Sequence, residues 1–181
     1  LGHLSRLLAA AVSDPGQGWR DLPLLTAAER EQLLAGFNDT GPTSGPDLCL
    51  HQLFEAQAEH TPERTALVDP GGIRLTYREL NARADRLADR LRALGLGPER
   101  LAGVLMDRTA DLIVTLLAVH KAGGAYAPLD PNYPKNRVLL MLETSEAAVL
   151  VTRRRLAEDF AGELPAGLRT IFLDPGWEEE D

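Results

Sequence analysis

The stretch VHKAGGAYAPLDPNYPKNR, residues 119–137, decides the fold of the chain around it. Its first residues end an apolar helix, and the pair Gly123–Gly124 stops that helix because glycine accepts backbone conformations that a side chain with a Cβ disfavours. Residues 125–129 then form a short apolar strand. Pro128, Pro131 and Pro134 bias the residues before them toward extended backbone until a new helix begins at Lys135. A helix, a strand and a helix in immediate succession indicate a parallel crossover unit.

The same alternation extends along the rest of the chain. Strands are predicted at residues 101–106, 147–152 and 170–173, and helices at 110–122, 135–144 and, more weakly, 153–160. The strand segments are rich in Val, Leu and Ala, which is typical of strands covered on both faces. The sequence therefore predicts the α/β class, with a mainly parallel sheet flanked by helices. Residues 101–106, 125–129 and 147–152 are predicted to be neighbouring buried strands.

A helix, a hairpin and a second helix are predicted before this alternation begins. The first helix starts near Leu50 and ends before Pro62. Two short apolar runs on either side of DPGG, within residues 65–75, favour a hairpin. Thr76 and Glu79 have the spacing of a capping box, in which each side chain accepts the backbone N–H of the other residue. The helix that follows is predicted to stop at Gly95.

A short helical segment precedes the α/β part. The apolar spacing within residues 3–13 predicts a helix, and Thr26 with Glu29 predicts a second capping box and a helix to about Gly36. The sequence GPTSGPD, residues 41–47, has no apolar periodicity and is interpreted as a linker. The expected organisation is thus residues 1–40, a linker at 41–47, and an α/β part over 48–181.

Composition excludes several classes of function. The chain has 181 residues, a formal net charge of -8 and a pI near 5.0, which argues against a nucleic-acid surface. No run is long and apolar enough to suggest a membrane span. Cys49 is the only cysteine, so no internal disulfide forms, and the cytoplasm is the expected compartment. The charge runs at residues 153–155 and 178–181 are interpreted as solvated surface.

Motifs for catalysis, nucleotide binding or metal binding are not found in the sequence. The four histidines lack the paired spacing of a metal site, and His120, on an apolar helix, is interpreted as a packed, hydrogen-bonded residue. Neither a GxSxG elbow nor a GxGxxG or GxxxxGK[ST] nucleotide loop occurs. Residues 43–45 look like the start of a phosphate-binding loop but are interpreted as linker. No catalytic, cofactor-binding or metal-binding residue is therefore predicted.

Three segments in succession resemble the amino-acid adenylation domains of nonribosomal peptide synthetases. LHQLFEAQAEHTPERTALV resembles the opening of such a domain, LTYREL its first core motif and KAGGAYAPLDP its second. Further upstream, LLTAAEREQLLAGFNDTG looks like the connection from a condensation domain. Residues 1–40 would then be the end of that condensation domain, and residues 48–181 the N-terminal part of an adenylation domain. Because the main body of the condensation domain lies outside the sequence, residues 1–40 are expected to pack less fully than the α/β part.

The resemblance implies a parent enzyme that uses ATP and Mg²⁺ to convert an amino acid to an aminoacyl-adenylate. The product is then loaded on the phosphopantetheine thiol of a carrier domain. The family places its phosphate-binding loop, substrate pocket and catalytic lysine after the point that corresponds to Asp181. The chain alone is therefore expected to be inactive, with no cofactor bound. Its motif residues are assigned structural roles: Leu75, Thr76, Tyr77, Glu79, Leu80, Lys121, Gly123, Gly124, Tyr126, Pro128, Asp130 and Pro131.

Two alternatives to a simple fragment remain open. The chain could be the first half of a split or interrupted adenylation domain, or an interaction module for an MbtH-like protein. The expected partners are the rest of the adenylation domain and the condensation and carrier domains of the same synthetase. For an MbtH-like protein the loop at 130–137 departs from the family at Asn132, Lys135 and Asn136, so weak binding is expected.

Overall fold

The computed structural model describes residues 2–39 and 48–179. The chain divides into two units, Leu1–Asp47 and Leu48–Asp181. The linker predicted at 41–47, which includes residues 43–45, lies outside the described residues. Each unit is built from elements that the local sequence pattern predicts.

Within residues 2–39, the first unit contains two α-helices. They are α1 (Gly2–Ser13) and α2 (Ala27–Leu34), and a 3-10 turn at Gly36–Asn38 follows. The predicted capping box is confirmed, since Thr26 Oγ1 accepts the Glu29 N–H at 3.0 Å and Glu29 Oε2 accepts the Thr26 N–H at 2.7 Å. Neither helix contains a buried residue, and the exposed apolar side chains include Leu4, Leu8 and Val12.

The second unit begins with a helix and a hairpin. Helix α3 spans Leu50–His60, and strands β1 (Thr65–Val68) and β2 (Arg74–Thr76) pair antiparallel. Helix α4 (Tyr77–Ala93) starts on the second predicted capping box, with Glu79 N–H to Thr76 Oγ1 at 3.2 Å and Thr76 N–H to Glu79 Oε2 at 2.8 Å. The predicted hairpin and both predicted helices are confirmed.

Parallel strands and their connecting helices form the remainder of the second unit. The bounds are β3 Leu101–Leu105, α5 Ala110–Lys121, β4 Ala125–Leu129, α6 Lys135–Thr144, β5 Val149–Thr152, α7 Arg154–Ala157 and β6 Arg169–Phe172. The helix predicted at 153–160 is split, because a 3-10 turn at Glu158–Phe160 follows α7.

The four-stranded sheet has the order β4-β3-β5-β6, with parallel pairs throughout. The predicted α/β class with a parallel sheet flanked by helices is confirmed. Strands β3 and β5 are almost fully buried, but in β4 only Leu129 is buried while Ala125 and Pro128 are exposed. The prediction of three buried strands is therefore wrong for β4, because β4 lies at an edge of the sheet.

Two apolar layers cover the sheet. On one face, α4 and α5 pack over residues such as Val104 and Val151, and this larger cluster also contains Leu87, Leu91 and Val119. On the opposite face, α6 packs over residues that include Leu105 and Leu150. The C-terminal residues join the larger layer through Trp177, which is 3% exposed.

Candidate functional site

The carboxyl ends of the parallel strands are the first place to look for a site, because open α/β sheets bind ligands at that edge. Residues Met106–Arg108 follow β3, Asp130 follows β4, Arg153 follows β5 and Asp174 lies shortly after β6. A crevice of 440 Å³ opens between the ends of β3 and β4. Its apolar part includes Met106, Leu112 and Leu129, and its polar part includes Asp107, Arg108, Asp130 and Asn132.

The three arginines after β5 pair with aspartates that follow the neighbouring strands. Arg153 Nη2 lies 2.8 Å from Asp111 Oδ2, and Arg154 Nε lies 3.1 Å from Asp174 Oδ2. Arg155 forms an ion pair with Asp107. The interpretation of this run as solvated surface is wrong for Arg153, whose side chain is 19% exposed.

These ion pairs determine what the carboxyl edge can bind. The order β4-β3-β5-β6 changes direction between β3 and β5, where doubly wound sheets commonly bind phosphate groups. Here Arg153 and Arg155 join the end of β5 to Asp111 and Asp107 after β3. Each of these two cations already has an anionic partner, so a phosphate group would compete with an aspartate carboxylate for each of them.

The loop after β4 is ordered by the residue that follows the strand. Asp130 Oδ1 accepts the backbone N–H of Asn132 at 2.9 Å and its side-chain amide at 2.8 Å. The backbone bond and then the side-chain bond hold the pKa of Asp130 below its ordinary value. Asp130 thus caps the backbone of this loop. Further along the loop, the Arg137 guanidinium lies 4.2 Å from the Tyr133 ring centroid.

In the glycine pair of the second motif, Gly123 has the conformation that its sequence predicts, and Gly124 lies in a crowded position. Gly123 has a φ of 84°, in the left-handed region. A Cβ on Gly124 would lie 2.8 Å from Leu96 Cγ and 3.1 Å from the Arg100 carbonyl oxygen. The loop before β3 therefore leaves no room for a side chain at Gly124. The pair of glycines allows α5 to end and β4 to start beside that loop.

Lys121 has partners that the sequence does not reveal. Its position predicts only that it offsets the partial negative charge at the carboxyl end of α5. In the structure its side chain is 3% exposed, and Nζ lies 2.5 Å from Glu55 Oε1 and 2.6 Å from Asp85 Oδ1. Because Glu55 belongs to α3 and Asp85 to α4, the ammonium lies between these two helices. Lys121 therefore connects three helices.

The two core motifs meet through these helices. Leu75 and Leu80 of the first motif are 3% and 2% exposed in the larger apolar layer, and Tyr77 contacts Phe54 of α3 with ring centroids 5.6 Å apart. Helix α4, which the first motif starts, contributes Asp85 to Lys121 of the second motif. Arg92 of α4 also donates to the Lys121 carbonyl oxygen at 2.5 Å.

The other motif residues lie along β4 and its loop. Tyr126 is half-buried and its ring makes an edge-to-face contact with His120, with centroids 5.3 Å apart. Pro128 and Pro131 contribute to the 440 Å³ crevice. Tyr126 also packs against the larger apolar layer that contains Leu75 and Leu80, whereas Pro128 and Pro131 lie at the crevice.

Charged residues near the C-terminus also have partners. Glu178 Oε1 lies 3.0 Å from Arg83 Nη1, and its Oε2 lies 2.8 Å from Arg86 Nη2. The interpretation of the last charge run as a solvated terminus is therefore wrong for Glu178. Within residues 2–39 and 48–179 no helix is long and apolar enough to cross a membrane, and no group of three His, Cys, Asp or Glu side chains could hold a metal ion.

Comparison with known proteins identifies the family. The model of a family described as AMP-binding enzyme matches residues 54–180, which include most of the second unit. The chain belongs to the AMP-binding enzyme family. The structure resembles that of the nonribosomal peptide synthetase FmoA3 with bound α-methyl-L-serine-AMP, with a TM-score of 0.77, 32% identity, and coverage of 94% of this chain and 19% of that chain.

The sequence relatives include synthases named for gramicidin and tyrocidine. A linear gramicidin synthase of Brevibacillus parabrevis is 50% identical over 156 residues, covering 86% of this chain and 3% of that protein. Tyrocidine synthase 2 of the same organism is 43% identical over 172 residues, covering 95% of this chain and 5% of that protein. The chain thus spans a small part of each relative. These similarities confirm the predicted relationship to nonribosomal peptide synthetases.

Proposed function

We propose that residues 48–179 form the N-terminal scaffold of an amino-acid adenylation domain. The parent domain uses ATP and Mg²⁺ to form an aminoacyl-adenylate and loads it on a carrier-domain phosphopantetheine thiol. The observation that carries this proposal is the family match over residues 54–180, together with two core motifs that meet at Lys121. The aminoacyl-adenylate named in the FmoA3 structure agrees with this chemistry.

Within this proposal the motif residues have structural roles. Thr76 and Glu79 start α4, Lys121 ties α3 and α4 to α5, and Gly124 admits the close approach of Leu96. The arginines after β5 are paired with aspartates. We therefore expect groups elsewhere in the parent domain to contribute to stabilising the charge on a leaving pyrophosphate.

A segment exchange tests the scaffold assignment. Residues 48–179 would replace the matching segment of an adenylation domain from the linear gramicidin synthase, and amino-acid-dependent pyrophosphate exchange would be measured. We expect the chimaera to retain exchange with the amino acid of the recipient domain. A folded chimaera without exchange, beside an active recipient, would contradict the proposal. Exchange with a different amino acid would assign substrate choice to this segment.

The 181-residue chain by itself provides the second arm of the test. Loss of even one well-placed donor to a developing oxyanion typically lowers a rate by ~10²–10³. We expect pyrophosphate exchange from the isolated chain to equal that of a no-enzyme control. Exchange above that control, retained after repurification, would show that these residues hold a complete active site.

Contacts made by residues in and after the loop that follows β4 affect binding of an MbtH-like protein. The side-chain amide of Asn132 donates to Asp130, and Lys135 Nζ lies 2.6 Å from Glu163 Oε1. A partner that inserts aromatic rings here would displace these contacts, leaving polar groups in an apolar site at a cost of about 1–3 kcal/mol. We therefore propose weak binding to an MbtH-like protein. Titration of the chain beside Asn132→Ala and Lys135→Ala tests this, and tight binding that neither variant improves would contradict it.

A further inference from the structure

A small apolar groove lies between the β1–β2 hairpin and the first turns of α5. Its volume is 300 Å³. Leu67, Val68 and Pro70 form the hairpin side, and Leu112 and Ile113 form the α5 side. Val68 is 53% exposed, so part of this apolar surface faces solvent. None of these five side chains belongs to the two core motifs.

Arg108 provides a cation at the edge of this groove. It lines the groove and is exposed, and it makes no hydrogen bond or ion pair within residues 2–39 and 48–179. Its electrostatic neighbour is Asp130, whose pKa it lowers as the smallest of the contributing causes. This contrasts with the three arginines after β5, each of which has an aspartate partner. Arg108 is therefore available to an anionic ligand.

Thr109 and Asp69 add polar groups at the same end of the groove. Thr109 is the N-cap residue of α5, yet its hydroxyl caps no backbone N–H and is buried without a partner. Asp69, which is 8% exposed, accepts the Ala110 N–H through Oδ2 at 3.4 Å and the Ile73 N–H through Oδ1 at 2.9 Å. Because the Thr109 hydroxyl oxygen is buried, a ligand in the groove does not reach it, and Arg108 is the cation that an anionic ligand contacts.

We propose that this groove binds a small aliphatic carboxylate. The chain of the ligand lies between Val68 and Leu112, and its carboxylate accepts hydrogen bonds from the exposed guanidinium of Arg108. The volume lies at the lower end of the range for ligand pockets, so a branched chain fits and a nucleotide does not. Branched-chain α-amino acids belong to the same class, and Asp69 is placed to accept a hydrogen bond from their ammonium group.

Three ligands with one branched chain and different head groups test the chemistry. The 181-residue chain is titrated with 4-methylpentanoate, leucine and 3-methylbutylamine, and amide chemical shifts are followed by NMR. The acid and leucine are expected to shift the amides of residues 67–69 and 109–113, with dissociation constants on the order of millimolar. The amine is expected to leave them unchanged. Tighter binding of leucine than of the acid would show that Asp69 contacts the ammonium group of the amino acid.

Two matched arginine variants test whether Arg108 binds the carboxylate of the ligand. Because a hydrogen bond to a charged group contributes about 1.5–3 kcal/mol, Arg108→Gln should weaken carboxylate binding by about tenfold or more. The control is Arg74→Gln on the hairpin, where Nη2 donates to Thr65 Oγ1 at 3.2 Å outside the groove lining. Val68→Thr, which keeps the shape of the wall and adds a hydroxyl, should also weaken binding. Equal affinities of the two arginine variants, shifts caused equally by the amine, or no shifts with any ligand would overturn the proposal.

Discussion

The ammonium nitrogen of Lys121 lies 2.6 Å from Asp85 Oδ1, in a side chain that is 3% exposed. Glu55 Oε1 lies 2.5 Å from the same nitrogen. The two carboxylates differ from the lysine in exposure, since their side chains are 39% and 53% exposed. Solvent can therefore stabilise the carboxylates without the lysine, but it cannot stabilise the ammonium without the carboxylates.

This difference in exposure predicts which of two variants loses more unfolding free energy. The double variant Glu55→Gln/Asp85→Asn leaves a buried ammonium without an anionic partner, which typically costs about 3–5 kcal/mol of unfolding free energy. Lys121→Met leaves two carboxylates that water can reach, so its cost should be smaller. Urea unfolding of both variants measures the difference. The exposed pair Lys135–Glu163 is the control, and Lys135→Met should cost at most about 1 kcal/mol. A greater loss for Lys121→Met than for the double variant would contradict this account.

Two threonine N-caps provide a second comparison. Thr76 Oγ1 accepts the Glu79 N–H at the start of α4, whereas the Thr109 hydroxyl makes no cap bond at the start of α5. Replacing a capping side chain typically costs about 1 kcal/mol. Thr76→Val should therefore lower the unfolding free energy by about this amount, while Thr109→Val should leave it nearly unchanged. Equal losses in thermal unfolding would show that the Thr109 hydroxyl has a structural partner.

The capping box also predicts a dependence on pH. The Thr76 backbone N–H, and then its hydroxyl, lower the pKa of Glu79 from its ordinary value of 4.5. Because the pKa in the folded protein is the lower one, the contribution of Glu79 to stability is present above pH 4.5 and is lost as the pH falls through the folded pKa. Glu79→Gln should flatten this part of the stability profile. An unchanged slope between neutral and acid pH would contradict the assignment.

The second glycine of the motif predicts a steric effect. A Cβ at Gly124 would lie 2.9 Å from Leu96 Cδ1 as well as close to the Arg100 carbonyl, so Gly124→Ala requires the loop or strand to shift. Overpacking of this kind typically costs about 1–3 kcal/mol. At Gly97 a Cβ meets no atom within 4 Å, and Gly97→Ala is the matched control. Similar midpoints for the two variants in urea would show that the segment before β3 adapts freely.

Local features were predictable because their partners are near in sequence. The capping box joins Thr76 to Glu79, three residues apart, and Gly123 needs only its own backbone conformation to end a helix. Alternating helices and strands likewise predicted the α/β class. The exposed face of β4 was not predictable, because an apolar run does not show whether its strand lies at the edge of the sheet.

Long-range partners could not be predicted from the sequence. Lys121 pairs with residues 66 and 36 positions away, and Arg153 with a residue 42 positions away. An acidic residue on a helix face gives no signal of which cation it meets once the helices pack. The groove beside Arg108 likewise depends on how the hairpin approaches α5.

The first unit predicts a difference in local stability. Helix α1 has no buried residue, and Leu4, Leu8 and Val12 are 57%, 59% and 80% exposed. In α5, by contrast, Val114 and Ala118 are fully buried. Amide protection follows the free energy of local opening, which is low where few apolar contacts hold an element. In a dilute sample, hydrogen exchange should therefore be faster in α1 than at residues 112–117. Equal protection of the two segments would show that α1 is held by contacts as extensive as those of α5.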